Sequence, residues 1–543
     1  MSEGRQSIVR LLEGVTAFFL LLEAVLRPLA AGNLWREQES VSRLGDTIFV
    51  SLPVWFALVF WILRAVAAGR LRVFRAGGDI FLLPLVLLVL LSPRHAADRN
   101  AALPSAMVWA TNILYLYLVV NVGREARFAR WVLAAFLSTA VAVTAYGAIQ
   151  ATVDIPTLKE QLANDPEFLE RDPNARRDPE SIAELRFRAQ SVRPHASFMN
   201  ENSLATFLVL SLFPLLGLLL DADRGNWRRG VRLILLLGLL VLLGLTRSKG
   251  GFAGLAVGIY VFLWTARVGW FSRSAFRWGS GVVGLIGLAS LVALSWTAVD
   301  PLGLHEKNSS AWVRAGYWSG AMRVFLAHPW LGVGLENFDG HYYEWKDVEA
   351  GEVYLVHNDY LQVAAELGVF GWIAFVGFWV LLVLRSLRPP QNAPGPPAPG
   401  AVYLRFTPLV ICCVGAALLG PYIAEGIVGG FLDSIPPPWS AFTLTWAWLI
   451  GFLAVFPRPR EAASPWLRAG ALAGLCAALA HAFIDHPFYG HNLSTALWGL
   501  AAVVIVFHQE ARGGEVVLDL EMGGGGQFLT FLVAVASGVV IFG

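Results

Sequence analysis

A few charged side chains stand where a mostly apolar chain has little reason to keep them. His357 directly precedes an apolar run in VHNDYLQVAAELGVFGWIAF, residues 356–375. An ordinary imidazole titrates at about 6.5, so this one can take a proton from a hydroxyl near neutral pH. Arg247, with Lys249 beside it, interrupts LLGLTRSKGGFAGL, between two apolar runs that almost no loop separates. Arg314 and Arg323 lie in SSAWVRAGYWSGAMRVFLAHPWLGVGLENF, residues 309–338. The planar guanidinium fork suits a phosphate or an anionic headgroup. In LAHAFIDHPFYGHN, residues 479–492, His481 and Asp485 are spaced i, i+4 and would share one helix face.

Each has a plainer reading beside the chemical one. Arg247 can be an interfacial anchor whose stem lies along apolar surface. Arg314 and Arg323 can belong to a solvated helix face, and His357 can simply bond to backbone. Two polar groups of residues from distant parts of the chain, on the same side of the membrane, favour a shared polar cavity over either alone.

The elements that must position them follow from composition. The chain has 543 residues, 56% hydrophobic and 15% charged, and its mean hydropathy of +0.58 is too high for one soluble core. Continuously apolar runs of about 20 residues recur from end to end, which is the length of a membrane-crossing helix and not the alternation of a barrel strand. The expected fold is therefore all-α, a polytopic transmembrane bundle of about fourteen spans. They lie near 8–30, 48–66, 79–93, 104–121, 131–153, 201–220, 231–246, 249–266, 280–299, 360–386, 406–428, 438–456, 469–484 and 493–508. The start reads as a first membrane helix, since Glu13 and Glu23 interrupt its apolar run and no small-residue cleavage site follows.

Arginine parity orients the bundle. Alternate loops carry Arg64, Arg70, Arg72 and Arg75; Arg124, Arg127 and Arg130; Arg224, Arg228, Arg229 and Arg232; Arg267, Arg273 and Arg277; Arg385, Arg388 and Arg405; and Arg458, Arg460 and Arg468. Basic short loops are cytoplasmic, so the long loops 154–200 and 300–359 face outward, in a bacterium towards the periplasm. The chain then divides into helices 1–153, a charged outer loop 154–200, helices 201–299, an outer loop 300–359, helices 360–508 with a Pro-rich linker 388–405, and a Gly-rich tether with a short apolar run at 509–543. Trp312, Gly316, Ser319, Met322 and Phe325 or Leu326 recur at helical spacing, which predicts an amphipathic helix on the outer surface. The final run, 528–543, is expected to lead outward into a further domain.

Other chemistries find little support. A net charge of +2 argues against nucleic acid as a partner. Cys412, Cys413 and Cys476 all sit in apolar runs and form no metal pair. Asp221-Ala-Asp223 has the spacing of a metal-holding DxD but stands at a helix end beside Arg224. His341 and His357 lack a third ligand at useful spacing, so no metal site is expected.

His357-Asn358, nine residues, then Gly368-Val369-Phe370-Gly371 resembles the His-[Asn/Ser/Gln]-x9-Gly signature of the O-antigen ligase and polymerase family of bacterial membrane glycosyltransferases. RPHASFMNENSLATFL (193–208) resembles the family's segment with paired asparagines, here Asn200 and Asn202. TRSKGGFAGL resembles its Ser/Thr-Arg turn, and WVRAGYWSGAMRVFLAHPWLGVGLENF its Arg-bearing loop helix followed by Pro and Gly-x-Gly. The resemblance implies a GT-C-like fold in the inner membrane with a periplasmic active site. It implies a donor glycan on undecaprenyl pyrophosphate, a saccharide or glycolipid acceptor, a surrounding of membrane lipids, no cofactor, and inverting, metal-independent transfer. By the same resemblance Arg247 and Arg314 would neutralise the pyrophosphate and His357 would act as base on the acceptor hydroxyl. Asp485 would orient the histidine or bind sugar, and Arg193, Asn200, Asn202, His481, Arg94 and Glu366 would complete the substrate site. Ligation and polymerisation share this chemistry and differ in the acceptor. A transporter or flippase of lipid-linked oligosaccharide is the rival from another class, and would carry repeated interrupted helices.

Overall fold

The computed structural model describes residues 2–29, 40–122, 126–165, 192–198, 200–221, 226–294, 310–347, 350–351, 353–387, 437–455, 463–509 and 516–521. The expected span 406–428, the linker 388–405, the apolar run 528–543 and residues 166–191 of the charged loop lie outside them. In chain order the helices are α1 (Glu3–Leu29), α2 (Ser40–Ala68), α3 (Asp79–His95), α4 (Arg99–Val122), α5 (Ala126–Ile149), α6 (Ile155–Asn164), α7 (Glu201–Leu220) and α8 (Trp227–Thr246). They continue as α9 (Lys249–Ala266), α10 (Ser274–Leu294), α11 (Ser310–Ala327), α12 (Phe338–Trp345), α13 (Asp359–Leu387), α14 (Pro437–Val455), α15 (Pro465–His481) and α16 (His491–Gln509). The protein is an all-α polytopic membrane protein. Among the described residues, seven helices are long and apolar enough to cross a membrane. Others, such as α3 and α15 at 17 residues each, stand at the lower edge of the length that about 30 Å of hydrocarbon needs.

Burial sorts these helices into a centre and a rim. α7 is apolar around its whole circumference and is buried along nearly all its length. α8 and α9 are also apolar, yet Leu237, Val241 and Ile259 remain exposed, as expected of a surface whose solvent is lipid. Lipid tails supply no hydrophobic drive between helices, so close packing depends on small residues. A Cβ at Gly474 of α15 would come 2.5 Å from the Leu210 carbonyl of α7, and one at Gly254 of α9 2.7 Å from the Ala477 carbonyl of α15. Gly250, one turn before Gly254, lies against the His481 ring. α7, α9 and α15 thus form a backbone-to-backbone layer that fixes where α15 ends and the turn before α9 begins.

Two local differences from the sequence reading have clear causes. The span expected to stop at 153 instead passes through a π-turn, Gln150–Asp154, straight into α6. The bulge re-aims Gln150, whose Oε1 accepts from the His195 and Ala196 amides at 3.1 and 2.7 Å. The stretch 509–543, read as a tether and a short apolar run, contains a β-strand: β2 (Val516–Glu521) pairs antiparallel with β1 (Arg70–Phe74), and Arg70 and Arg72 both reach Asp519. Leu71 and Phe74 are buried while Arg70 and Arg72 are exposed, an alternation too short to stand out in a basic loop.

Candidate active site

Two chain breaks build the site around His357. The first is in α13 itself. Gly368 has φ +64° and ψ −168°, which interrupts the helix and releases two carbonyls. Ala365 and Glu366 then accept from the Val333 and Gly334 amides at 3.0 and 2.9 Å, and the Val369 amide donates to Pro329 at 2.8 Å. A Cβ at Gly368 would strike the Trp330 carbonyl, and one at Gly332 the Glu366 carbonyl. The two glycine motifs, Gly332-x-Gly334 and Gly368, are therefore the halves of one joint that seats the segment 329–334 on α13.

The second break is the His-Asn-Asp triplet. His357 has φ +54°, a left-handed conformation uncommon for a non-glycine residue. Bonds on either side hold it there: the Val356 amide donates to Gln362 Oε1 at 2.6 Å, and Asn358 Oδ1 accepts from the Tyr360 and Leu361 amides at 3.1 and 3.2 Å. Asp359 then fastens the turn between α15 and α16. Its amide donates to the Ala482 carbonyl at 2.9 Å, and its Oδ2 accepts from the Phe488 amide at 3.0 Å. In the motif, Asn358 caps the helix, Asp359 ties two distant segments, and the imidazole of His357 is left for chemistry.

What this turn delivers is Asp485, 1% exposed, with Oδ1 3.3 Å from Nδ1 of His357 across a separation of 128 residues. Nδ1 of His486 lies 3.0 Å from the same oxygen, and its ring meets that of His357 edge-on at 4.7 Å between centroids. Tyr317 of α11 stacks over His357 at 6.2 Å. Burial pulls the His357 pKa below the ordinary 6.5; the bond to Asp485 opposes this, and the charges of His486 and Arg314 add to it. Burial pushes the Asp485 carboxyl up, but the surrounding imidazoles, His486 first, outweigh it and hold the group well below the ordinary carboxylate range. An ionised Asp485 accepts the Nδ1 proton of a neutral His357, which leaves Nε2 as a free acceptor: the tautomer that a general base needs.

The expected site residues fall into three groups. His357, Asp485 and Arg314 come together: Nε of Arg314 is buried with no hydrogen-bond partner, and its charge is felt at His357, Tyr317 and His481. Arg247 is exposed at the αL cap of α8, φ +52°, immediately before Ser248, Lys249 and the Gly250 that meets His481. Arg94 stands at the end of α3 at the same end of the bundle, because the 92–98 segment is bonded to the loop after α11 through Ser92 with Leu335 and Asp98 with Asn337.

The others are bound up in the scaffold. Asn200 caps α7 through the Ser203 amide at 2.8 Å, and Asn202 accepts from Ser248, which itself caps α9. Arg193 pairs with Glu201 at 3.8 Å. Glu366 is fully buried, with one oxygen on Gln362 and the other on Tyr489, both at 2.7 Å. His481 Nδ1 meets Thr206 Oγ1 at 2.5 Å, while the Asp485 amide donates to the His481 carbonyl at 3.1 Å. α11 buries Gly320, Ala321 and Val324, while Met322 and Leu326 of the expected apolar face are exposed. Asp221 closes α7 as its C-cap, and Asp223 lies outside the described residues.

Sequence reasoning missed His486, and with it a third ligand-type group beside His357. The ligand spacing that it looked for is local, whereas this cluster closes across two chain segments. His341 takes no part: its Nδ1 is 3.0 Å from the Asn337 carbonyl.

Residues 233–376, from α8 through the first half of α13, match the O-antigen ligase family. The chain is also similar to the teichuronic acid biosynthesis protein TuaE of Bacillus subtilis (strain 168), at 24% identity over 197 residues. That match covers 35% of this chain and 40% of the relative's length. Both findings support the O-antigen ligase and polymerase family that the His357 motif resembles.

Proposed function

We propose that this protein transfers a glycan from undecaprenyl pyrophosphate to an acceptor sugar hydroxyl at the periplasmic face of the inner membrane. The observation that carries the reading is the Asp485–His357 pair, its free Nε2 turned to base chemistry, with the Arg314 guanidinium beside it, whose Nε has no hydrogen-bond partner. In this reading Nε2 of His357 takes the acceptor's proton as its oxygen attacks the anomeric carbon. The carbon–oxygen bond to the pyrophosphate breaks on the opposite face, so configuration inverts. Charge growing on the departing pyrophosphate is met by Arg314 and Arg247, whose contribution is greatest in the transition state. Asp485 remains ionised and stabilises the imidazolium. Ligation onto a glycolipid and polymerisation of repeat units both follow from these steps.

Transport of the same lipid-linked glycan is the rival, and two features weigh against it. His357, Asp485 and Arg314 gather at one place, beside the start of α13, and the interruption at Gly368 is filled by the backbone of residues 329–334. Replacing His357 by Ala, at wild-type expression, is expected to abolish transfer, and Arg314→Lys to impair it because a point charge does not replace the fork. Full activity of the His357 variant removes the base assignment; an unaffected Lys variant reduces Arg314 to a surface charge.

A further inference from the structure

A second imidazole, His486, shares the carboxylate of the proposed Asp485–His357 pair. His486 is 7% exposed, and its Nδ1 is buried without a hydrogen bond of good geometry, although Asp485 Oδ1 is only 3.0 Å away. A buried ring nitrogen left so costs stability unless something else uses it. Nδ1 of His357, Oδ1 of Asp485 and Nδ1 of His486 all lie within 4.8 Å of one another. Around a tetrahedral zinc ion with bonds of about 2.0–2.1 Å, ligand atoms are separated by ~3.3 Å. The two separations to Asp485, 3.3 and 3.0 Å, already have that size, and only the two nitrogens must draw together. The His357 side chain is 29% exposed, which leaves the cluster an entrance.

We propose that His357, Asp485 and His486 bind a divalent transition-metal ion, zinc above all, and that the bound ion switches the base off. Two imidazoles and one carboxylate form a borderline-soft set that prefers zinc to magnesium or calcium, both of which call for more oxygen ligands. The switch is a change of tautomer. Zinc takes the Nδ1 lone pair of His357, so the single ring proton of the neutral imidazole moves to Nε2, with no net proton released. Nε2 then donates where the transfer step needs it to accept. Asp485, shared with the metal, no longer holds Nδ1–H in place. The inhibitory half of this proposal rests on the transfer reading above; the binding half does not.

The test uses the full-length protein, purified in detergent and stripped with a chelator, titrated with zinc against a competing chromophoric chelator. Parallel titrations use magnesium and calcium. One zinc per chain is expected, with affinity at least tenfold lower in His486→Gln and in Asp485→Asn. Absence of zinc binding, equal binding by both variants, or equal binding of magnesium overturns the site. Should either variant fail to fold, X-ray absorption of the wild-type zinc complex decides: two imidazole nitrogens and a carboxylate oxygen support the site, and an all-oxygen shell overturns it. Saturating zinc should then lower glycan transfer at least tenfold, with recovery on chelation; unchanged or increased transfer overturns the switch. Zinc binding that depends on His486, in a protein that transfers no glycan even when metal-free, supports the site and removes the transfer reading instead.

Discussion

Asp485→Asn isolates what the buried carboxylate contributes. The substitution keeps shape and the turn's backbone bonds, but removes the charge 3.3 Å from Nδ1 of His357. When His357 accepts a proton it becomes an imidazolium. At that distance, with an effective dielectric constant of about 20, its attraction to Asp485 is ~5 kcal/mol. With the proton about half transferred in the transition state, roughly half of this, ~2.5 kcal/mol, is lost, which is a fall of about 70-fold in rate. An asparagine that turns its NH2 towards Nδ1 also favours the wrong tautomer, so 70-fold is the lower side of the expectation; general-base catalysis as a whole contributes about 10²–10⁴-fold. The assay is single-turnover transfer from a lipid-linked glycan, wild type against Asp485→Asn, His357→Ala and the double variant. Because the two residues act as one unit, the double variant should be no slower than His357→Ala alone. An Asp485→Asn enzyme within threefold of wild type, or fully additive losses in the double variant, would refute the reasoning.

The acid limb of the rate profile should lie below the ordinary imidazole pKa of 6.5, because burial lowers that of His357; the neutral form is the active one, so transfer holds above 6.5 and falls as pH drops through the lowered value. A rate profile of chelator-treated enzyme with its acid limb above 6.5 contradicts this. Gly368→Ala must force a φ of +64° on a residue with a Cβ, costing roughly 1–3 kcal/mol before its collision with the Trp330 carbonyl, so it should lower the melting temperature and abolish transfer. Gly340→Ala, whose Cβ meets open space, should do neither, and equal effects of the two refute the joint.

How far the sequence could be read depended on whether an interaction was local. Apolar run length needs only neighbouring residues, and it predicted the helical membrane fold. The seams needed three dimensions. Asp485 was selected for a helical spacing to His481, yet it works because α15 ends at His481 and Asp359 draws the following turn onto α13. Asn200, Asn202 and Glu366 entered through the resemblance to family motifs, and a motif does not separate a substrate contact from a cap or an interhelical bond. His486 gave no signal beyond adjacency to Asp485, since its partner stands in a segment over a hundred residues away. The buried side of α11 packs Gly320 against Tyr342, a contact that side-chain hydrophobicity does not register.

Reconstitution into liposomes, with lipid-linked glycan in one leaflet and a saccharide acceptor on that same side, tests the central claim most directly. A covalent glycan–acceptor product from the wild-type protein, and none from His357→Ala, is the expected result. Glycan that reaches the opposite leaflet still attached to its lipid, with no new glycosidic bond, would contradict it.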